Sequence, residues 1–202
     1  QAVAEGAAVN ELCVIDHGWT GRVSVDPSIP AEDLSKFKQA LDKLPLAVRD
    51  KLGNMGLSVQ YVKGDVPVPN FKKVAGLFDE RNRTVYVSHR AKMDPGNSVM
   101  HTLRHEVAHA IDAYHLGWPN AARLSDATSF RDAFAADTKD FAGKKSSSFF
   151  SYYASSAEEA FAESSALLLS GKPSKYATAF EGLFPSVVRE ARAILQAHGI
   201  LP

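Results

Sequence analysis

The chain has 202 residues, 45% of them hydrophobic, enough for one domain (1–202) with a sizeable core. Lysine plus arginine equal aspartate plus glutamate at 23 each, which excludes a basic field for nucleic acid and an acidic tail. Apolar runs fall far short of a membrane span, and a lone Cys13 excludes an intrachain disulfide and any cysteine-based metal site.

Leu12 to Asp16 is predicted as a short strand, with Cys13 a buried, inert thiol, and Gly18 to Pro30 as a turn-rich stretch. Glu32 to Leu52 reads as helix. Leu34, Phe37, Leu41 and Leu44 form its inward face, and Pro45 splits it in two. Gly53 to Gly56 is a turn. Leu57, Val59 and Tyr61 alternate with Ser58 and Gln60, the period of a half-buried strand. Gly64 to Lys73, with Pro67 and Pro69, is a loop. Gly76 to His89 is a hairpin: Leu77-Phe78 enters a polar turn over Asp79 to Arg83, and Thr84 to Val87 returns.

A long helix follows from Ser98. Leu103, Val107, Ala110, Ile111 and Tyr114 recur at spacings of three and four, with Asn97 or Ser98 as N-cap and Gly117 and Pro119 as stop signals. Further helices are expected over Phe130 to Phe141, Ser156 to Ser170 and Pro185 to His198, with a loop over Lys144 to Ser151. Strands followed mostly by helices make this an α+β chain, a small sheet with an edge hairpin packed on a mainly helical body.

The chemistry sits at His105-Glu106-Val107-Ala108-His109. Histidines four apart share one helix face, so both imidazoles can grip one metal ion while Glu106 stands beside a water there. This is the HExxH pattern of a zinc peptidase, two ligands and a general base.

Such a site needs a third ligand, and four candidates compete. His115 has the spacing of a metzincin ligand. However, Asp112 stands where that family requires glycine, and no methionine follows Met100, so His115 reads as a histidine at the helix C-terminus. Asp112 suits an outer-shell contact or a hydrogen bond at the helix end. His101 is one turn too early for a straight helix to bring in a third imidazole, and reads as a rim residue. Glu159 and Glu163 lie four apart on the later helix, so one can ligate while the other supports a ligand.

His105-Glu106-Val107-Ala108-His109-Ala110-Ile111-Asp112, Ser151-Tyr152 and Glu158-Glu159-Ala160-Phe161-Ala162-Glu163 together resemble the anthrax-lethal-factor-like zinc metallopeptidases, and among them the secreted bacterial Pro-Pro endopeptidases. The resemblance implies a zincin-like, gluzincin-type catalytic domain with a mixed sheet and one catalytic Zn2+. In that family a tyrosine stands seven residues before the ligand glutamate. The spacing selects Glu159 as third ligand and Tyr152 as catalytic tyrosine, with Glu163 one turn on.

The expectation is a secreted metalloendopeptidase, its leader removed ahead of Gln1, with proline-containing sites among its substrates. Glu106 is the general base, Tyr152 steadies the oxyanion, His105, His109 and Glu159 hold zinc, and Asp112 and Glu163 stand behind them. A peptide or protein substrate would lie as an extended strand along the Gly76 to His89 hairpin. One departure from the family is visible: its tryptophan-bearing loop ahead of the hairpin has no counterpart in Val66 to Val74. Two alternatives stand beside this reading, a host-directed effector protease of the same architecture and a non-catalytic, zinc-stabilised peptide-binding module.

Overall fold

Proline has no N–H to donate and disfavours helix in the residue before it. The expected first helical region is accordingly two helices: α1, Ala31–Asp42, and α2, Leu46–Asn54, with Pro45 as the N-cap of the second. Phe37, Leu41 and Leu44 are buried as the spacing requires. The computed structural model describes residues 13–14, 19–71, 74–90, 98–115, 122–139, 141, 144 and 147–202, with backbone alone at 13 and 147–149. The expected burial of Cys13 therefore lies outside what is described, as do Asn97, Gly117 and Pro119.

Five strands form one mixed sheet: β1, Cys13–Val14; β2, Val23–Val25; β3, Ser58–Val62; β4, Gly76–Asp79; and β5, Thr84–Ser88. Their order is β1-β2-β3-β5-β4. The β2–β3 and β3–β5 pairs are parallel, and β1–β2 and β4–β5 antiparallel. β2 corrects the expectation of turns throughout Gly18 to Pro30. Its three residues are all buried, so no apolar–polar alternation marks it, and parallel strands buried on both faces commonly lack one. The hairpin forms as expected and leaves β4 on the edge of the sheet. Its turn is tied by Asp79, whose Oδ1 accepts from the backbone N–H groups of Arg81 and Asn82 at 3.1 and 3.2 Å.

α3, Val99–Tyr114, begins at Ser98, whose Oγ accepts from His101 N at 3.1 Å, and ends at His115 as C-cap. After a short 3-10 turn, Leu124–Asp126, come α4, Thr128–Thr138; α5, Ser147–Ala154; α6, Ala157–Ser170; α7, Lys175–Leu183; and α8, Pro185–Ala197. α5 overturns the loop expected over Lys144 to Ser151. Its opening serines look like turn residues, but Phe150 and Tyr153 find a core: Phe150 is buried against Phe180 at 5.7 Å between ring centroids. α7 was not foreseen. It is nine residues between Pro173 and Pro185, opened by a Ser174 cap.

α3 lies between the sheet and α6, touching β4 and β5 on one side and packing most extensively on α6 on the other. Ala157, Ala160, Ala162 and Ala166 are buried on α6, and small side chains let two helix backbones approach closely. The result is the expected α+β architecture. Among the described residues no helix is long and apolar enough to cross a membrane.

Candidate metal centre

Both site helices are fixed at their first turns by serine caps. Ser98 sets the start of α3, and on α6 the Ser156 Oγ accepts from Glu159 N at 3.4 Å. Each cap lies within about two turns of the first two site side chains on its helix, His101 and His105 after Ser98 and Glu159 and Glu163 after Ser156. Helical periodicity then stacks His101, His105 and His109 along one stripe of α3, facing Glu159 and Glu163 one turn apart on α6.

The expected ligand set comes together. His105 Nε2 and His109 Nε2 are 3.2 Å apart, and Glu159 Oε2 lies 3.2 Å from the first and 3.4 Å from the second. These atoms are the described group whose spacing could hold a metal ion. Zinc bonds of ~2.0–2.1 Å at tetrahedral angles place ligand atoms about 3.3–3.4 Å apart, so the triangle has the right edge length.

The other ring nitrogen of His105 is also engaged. Nδ1 lies 2.9 Å from Glu163 Oε2, which leaves Nε2 to face Glu159 and His109. A carboxylate behind a ligand histidine fixes both ring orientation and tautomer. Glu163 is fully buried. His101 Nε2 lies 3.1 and 3.2 Å from its two oxygens, and burial and then the Glu163 charge raise the pKa values of the Tyr153 and Tyr176 hydroxyls, themselves 3.4 Å apart. His101 lines the rim of the cleft as expected and is also part of the support behind His105. The expectation missed this second role because it asked only whether His101 could reach the ion. Tyr153 and Tyr176 were missed altogether, and the second sits on a helix that had not been read.

Electrostatics agree with a cation site. Burial opposes charge on His105, yet the hydrogen bonds it donates to Glu159 and Glu163 prevail and lift its pKa to about 10. Burial pushes Glu159 and Glu163 upward, but their histidine partners win and hold both far below the usual carboxylate range. The protein therefore draws positive charge onto a buried imidazole, which is the charge and donor set that a divalent cation satisfies.

Glu106 is buried beside this triangle, and burial raises its pKa. The edge strand β4 packs against its side chain at Gly76, and both line the same cleft. Gly76 makes that approach possible. A Cβ there would stand 2.6 Å from Thr102 Cγ2 and 2.7 and 2.8 Å from Cγ and Oε1 of Glu106. Tyr152 lies on α5 with 59% of its surface exposed and lines the cleft with Glu159. Burial of the hydroxyl and then the neighbouring Glu159 carboxylate keep it protonated.

Asp112 is fully buried, its oxygens accepting from Ser125 N at 2.7 Å and Ser125 Oγ at 2.8 Å. It thereby pins the 3-10 turn to the end of α3. His115 caps α3 away from the triangle, 3.5 Å from Lys51 Nζ.

The site opens into a cleft of two lobes, about 360 and 350 Å³, that share Gly76, His105, Glu106 and Tyr152. One wall is β4 and the other is α5 with the start of α6.

The fold is shared with a solved structure, the Pro-Pro endopeptidase PPEP-2 from Paenibacillus alvei. The two match with a TM-score of 0.60 at 20% identity, over 85% of this chain and 96% of that one. No family model and no curated protein matches the sequence.

Proposed function

We propose that this chain is a zinc-dependent endopeptidase of gluzincin type, with His105, His109 and Glu159 as metal ligands and Glu106 as general base. The observation that carries the reading is the 3.2–3.4 Å triangle of ligating atoms beside a buried carboxylate. A structural metal site needs no such carboxylate, whereas peptide hydrolysis does. The shared fold with a Pro-Pro endopeptidase agrees with it, and the family resemblance extends the proposal to a secreted enzyme.

Zinc in such a set lowers the pKa of a water toward ~7 and polarises a carbonyl. The protein's own groups do the rest. Glu106 takes a proton as the water oxygen attacks the scissile carbonyl carbon. It then gives that proton to the amine nitrogen as the C–N bond breaks, work typically worth ~10²–10⁴ in rate. Its raised pKa suits both halves of the transfer. Tyr152 stands exposed in the cleft and donates its hydroxyl hydrogen to the carbonyl oxygen as negative charge builds there.

Substrate binds by adding a strand to β4. Ser88 N donates to Ala75 O, so the backbone groups of Ala75 and Leu77 face β5 and those of Gly76 and Phe78 face the cleft. The Glu106 carboxylate stands against this strand at Gly76. Gly76 and the Phe78 carbonyl remain to pair with an extended peptide.

The test is mass spectrometry of the products from a combinatorial peptide library, with zinc-loaded and chelator-stripped protein side by side. Cleavage that disappears on stripping and returns with Zn2+ is expected. Absence of any zinc-dependent cleavage across the library would refute the proposal.

A further inference from the structure

Arg123 stands just before the 3-10 turn and lines the cleft next to the ligand-bearing helices, with 26% of its side chain exposed. Its guanidinium meets three carboxylates from three elements. Nη2 donates to Glu80 Oε2, beyond the end of β4, at 2.6 Å. Nε lies 3.7 Å from Glu158 Oε1 in the first turn of α6, and Nη1 lies 3.8 Å from Asp112 Oδ2 near the end of α3. Tyr114 adds a second tie to the same point, its hydroxyl donating to the Glu80 carbonyl at 2.8 Å.

We propose that Arg123 is a positioning residue for the hydrolysis proposed above: it clamps the edge strand, through Glu80, to the two helices that carry the metal ligands, through Glu158 and Asp112. The inference rests on that functional reading. Glu158 is adjacent to Glu159, and Asp112 lies three residues after His109. On the other side of the clamp, Glu80 directly follows β4, the strand that packs against Glu106 at Gly76. One side chain therefore spans the elements that bear the ligands and the element that packs against the base.

An arginine suits this place. Its planar fork presents five N–H donors in fixed directions, while a lysine ammonium would serve one carboxylate at a time. Partly exposed ion pairs add little to global stability. The value of the clamp lies in register, since a displacement of about 1 Å at a catalytic group can lower turnover ~100-fold.

The experiment compares the full chain with Arg123→Gln, Arg123→Lys and the exposed-site variant Glu80→Gln. Zinc stoichiometry, hydrogen–deuterium exchange over residues 76–82, and kcat and KM on a peptide from the library are measured for each. Arg123→Gln and Glu80→Gln are expected to bind zinc, to exchange faster over 76–82, and to lose about 10- to 100-fold in kcat with little change in KM. Arg123→Lys is expected to recover only part of the loss. The double variant is expected to be no worse than Arg123→Gln alone, because both changes cut one link. Unchanged exchange over 76–82 would overturn the proposal even if no peptide substrate had been found. A rise in KM at constant kcat would overturn it differently, by making Arg123 a substrate contact. Should wild-type protein cleave nothing while exchange still rises, the clamp stands and the peptidase reading fails.

Discussion

His105 Nδ1 and Glu163 Oε2 lie 2.9 Å apart on the side of the ring away from Glu159. That bond chooses which nitrogen is left to coordinate. Removing it by Glu163→Ala leaves His105 free to turn over, and leaves the hydrogen-bonding groups of His101 and two tyrosines facing an empty buried space. We expect zinc affinity to fall about 10- to 100-fold. Competition against a fluorescent chelator measures this. Glu163→Gln keeps an acceptor for the His105 N–H and is expected to lose less; equal losses in the two variants would count against orientation as its role.

Glu106 and Tyr152 separate chemistry from binding. Glu106→Gln is close in shape, so fold and zinc content are expected to hold while turnover drops about 10²- to 10⁴-fold. Tyr152 is exposed and lines the cleft beside Glu159, so Tyr152→Phe is expected to fold normally and to lower kcat, by on the order of 3 kcal/mol at most for one oxyanion donor. Steady-state kinetics with metal analysis on the same samples checks both. A Glu106→Gln protein with wild-type turnover would remove that residue from the mechanism.

Much of this arrangement is visible in the chain because it is local. The period of the HExxH stripe, the Ser156 cap and the prolines that divide helices all act within a few residues. What stayed hidden acts over longer distance or against the local signal. β2 is buried on every residue, so it has no period to read. α5 opens on serines that favour turns, and only Phe180 on a later helix explains why Phe150 is buried. His101 could be judged only against the ion until the structure placed Glu163 beside it. Arg123 carries no motif; its meaning comes from three carboxylates on other elements.

Gly76 is required for space rather than for backbone freedom. Gly76→Ala would place a methyl within 2.6–2.8 Å of Thr102 Cγ2, Glu106 Cγ and Glu106 Oε1. Either β4 withdraws from the carboxylate or Glu106 is pushed aside. Overpacking of this kind costs about 1–3 kcal/mol. We expect a lower denaturation midpoint, intact zinc binding and a drop in kcat of about 10- to 100-fold. An alanine variant with wild-type midpoint and turnover would show that the strand does not need this close approach.

Asp112 should make stability depend on pH in an unusual direction. Burial raises its pKa to about 6 from 3.8, against the hydrogen bonds from Ser125 and the charge of Arg123. A carboxyl that holds its proton more tightly folded than unfolded penalises the fold where it is ionised, above about pH 6. The penalty is relieved as pH falls from 6 toward 3.8, and its size is about 3 kcal/mol. Asp112→Asn removes this titration but keeps an oxygen for Ser125 N. Its stability relative to wild type, from denaturant midpoints, is therefore expected to be more favourable at pH 7 than at pH 4. A constant difference across that range would show that Asp112 titrates normally.

Among the described residues, no ion pair answers the charge of Arg104. Its side chain sits one residue before His105 and is only 7% exposed. Its Nε is buried without a hydrogen-bond partner, burial alone lowers its pKa, and no ion pair reaches it among the described residues. Burying a cation without a counter-charge is unfavourable, and an apolar side chain of similar volume is often better tolerated. Methionine has similar length and nearly equal helix propensity. Arg104→Met is thus expected to stabilise the protein by on the order of 1 kcal/mol, with zinc affinity unchanged. Urea denaturation of the zinc-loaded forms measures the difference. A destabilised variant would mean that packing around the guanidinium stem outweighs the desolvation of its charge.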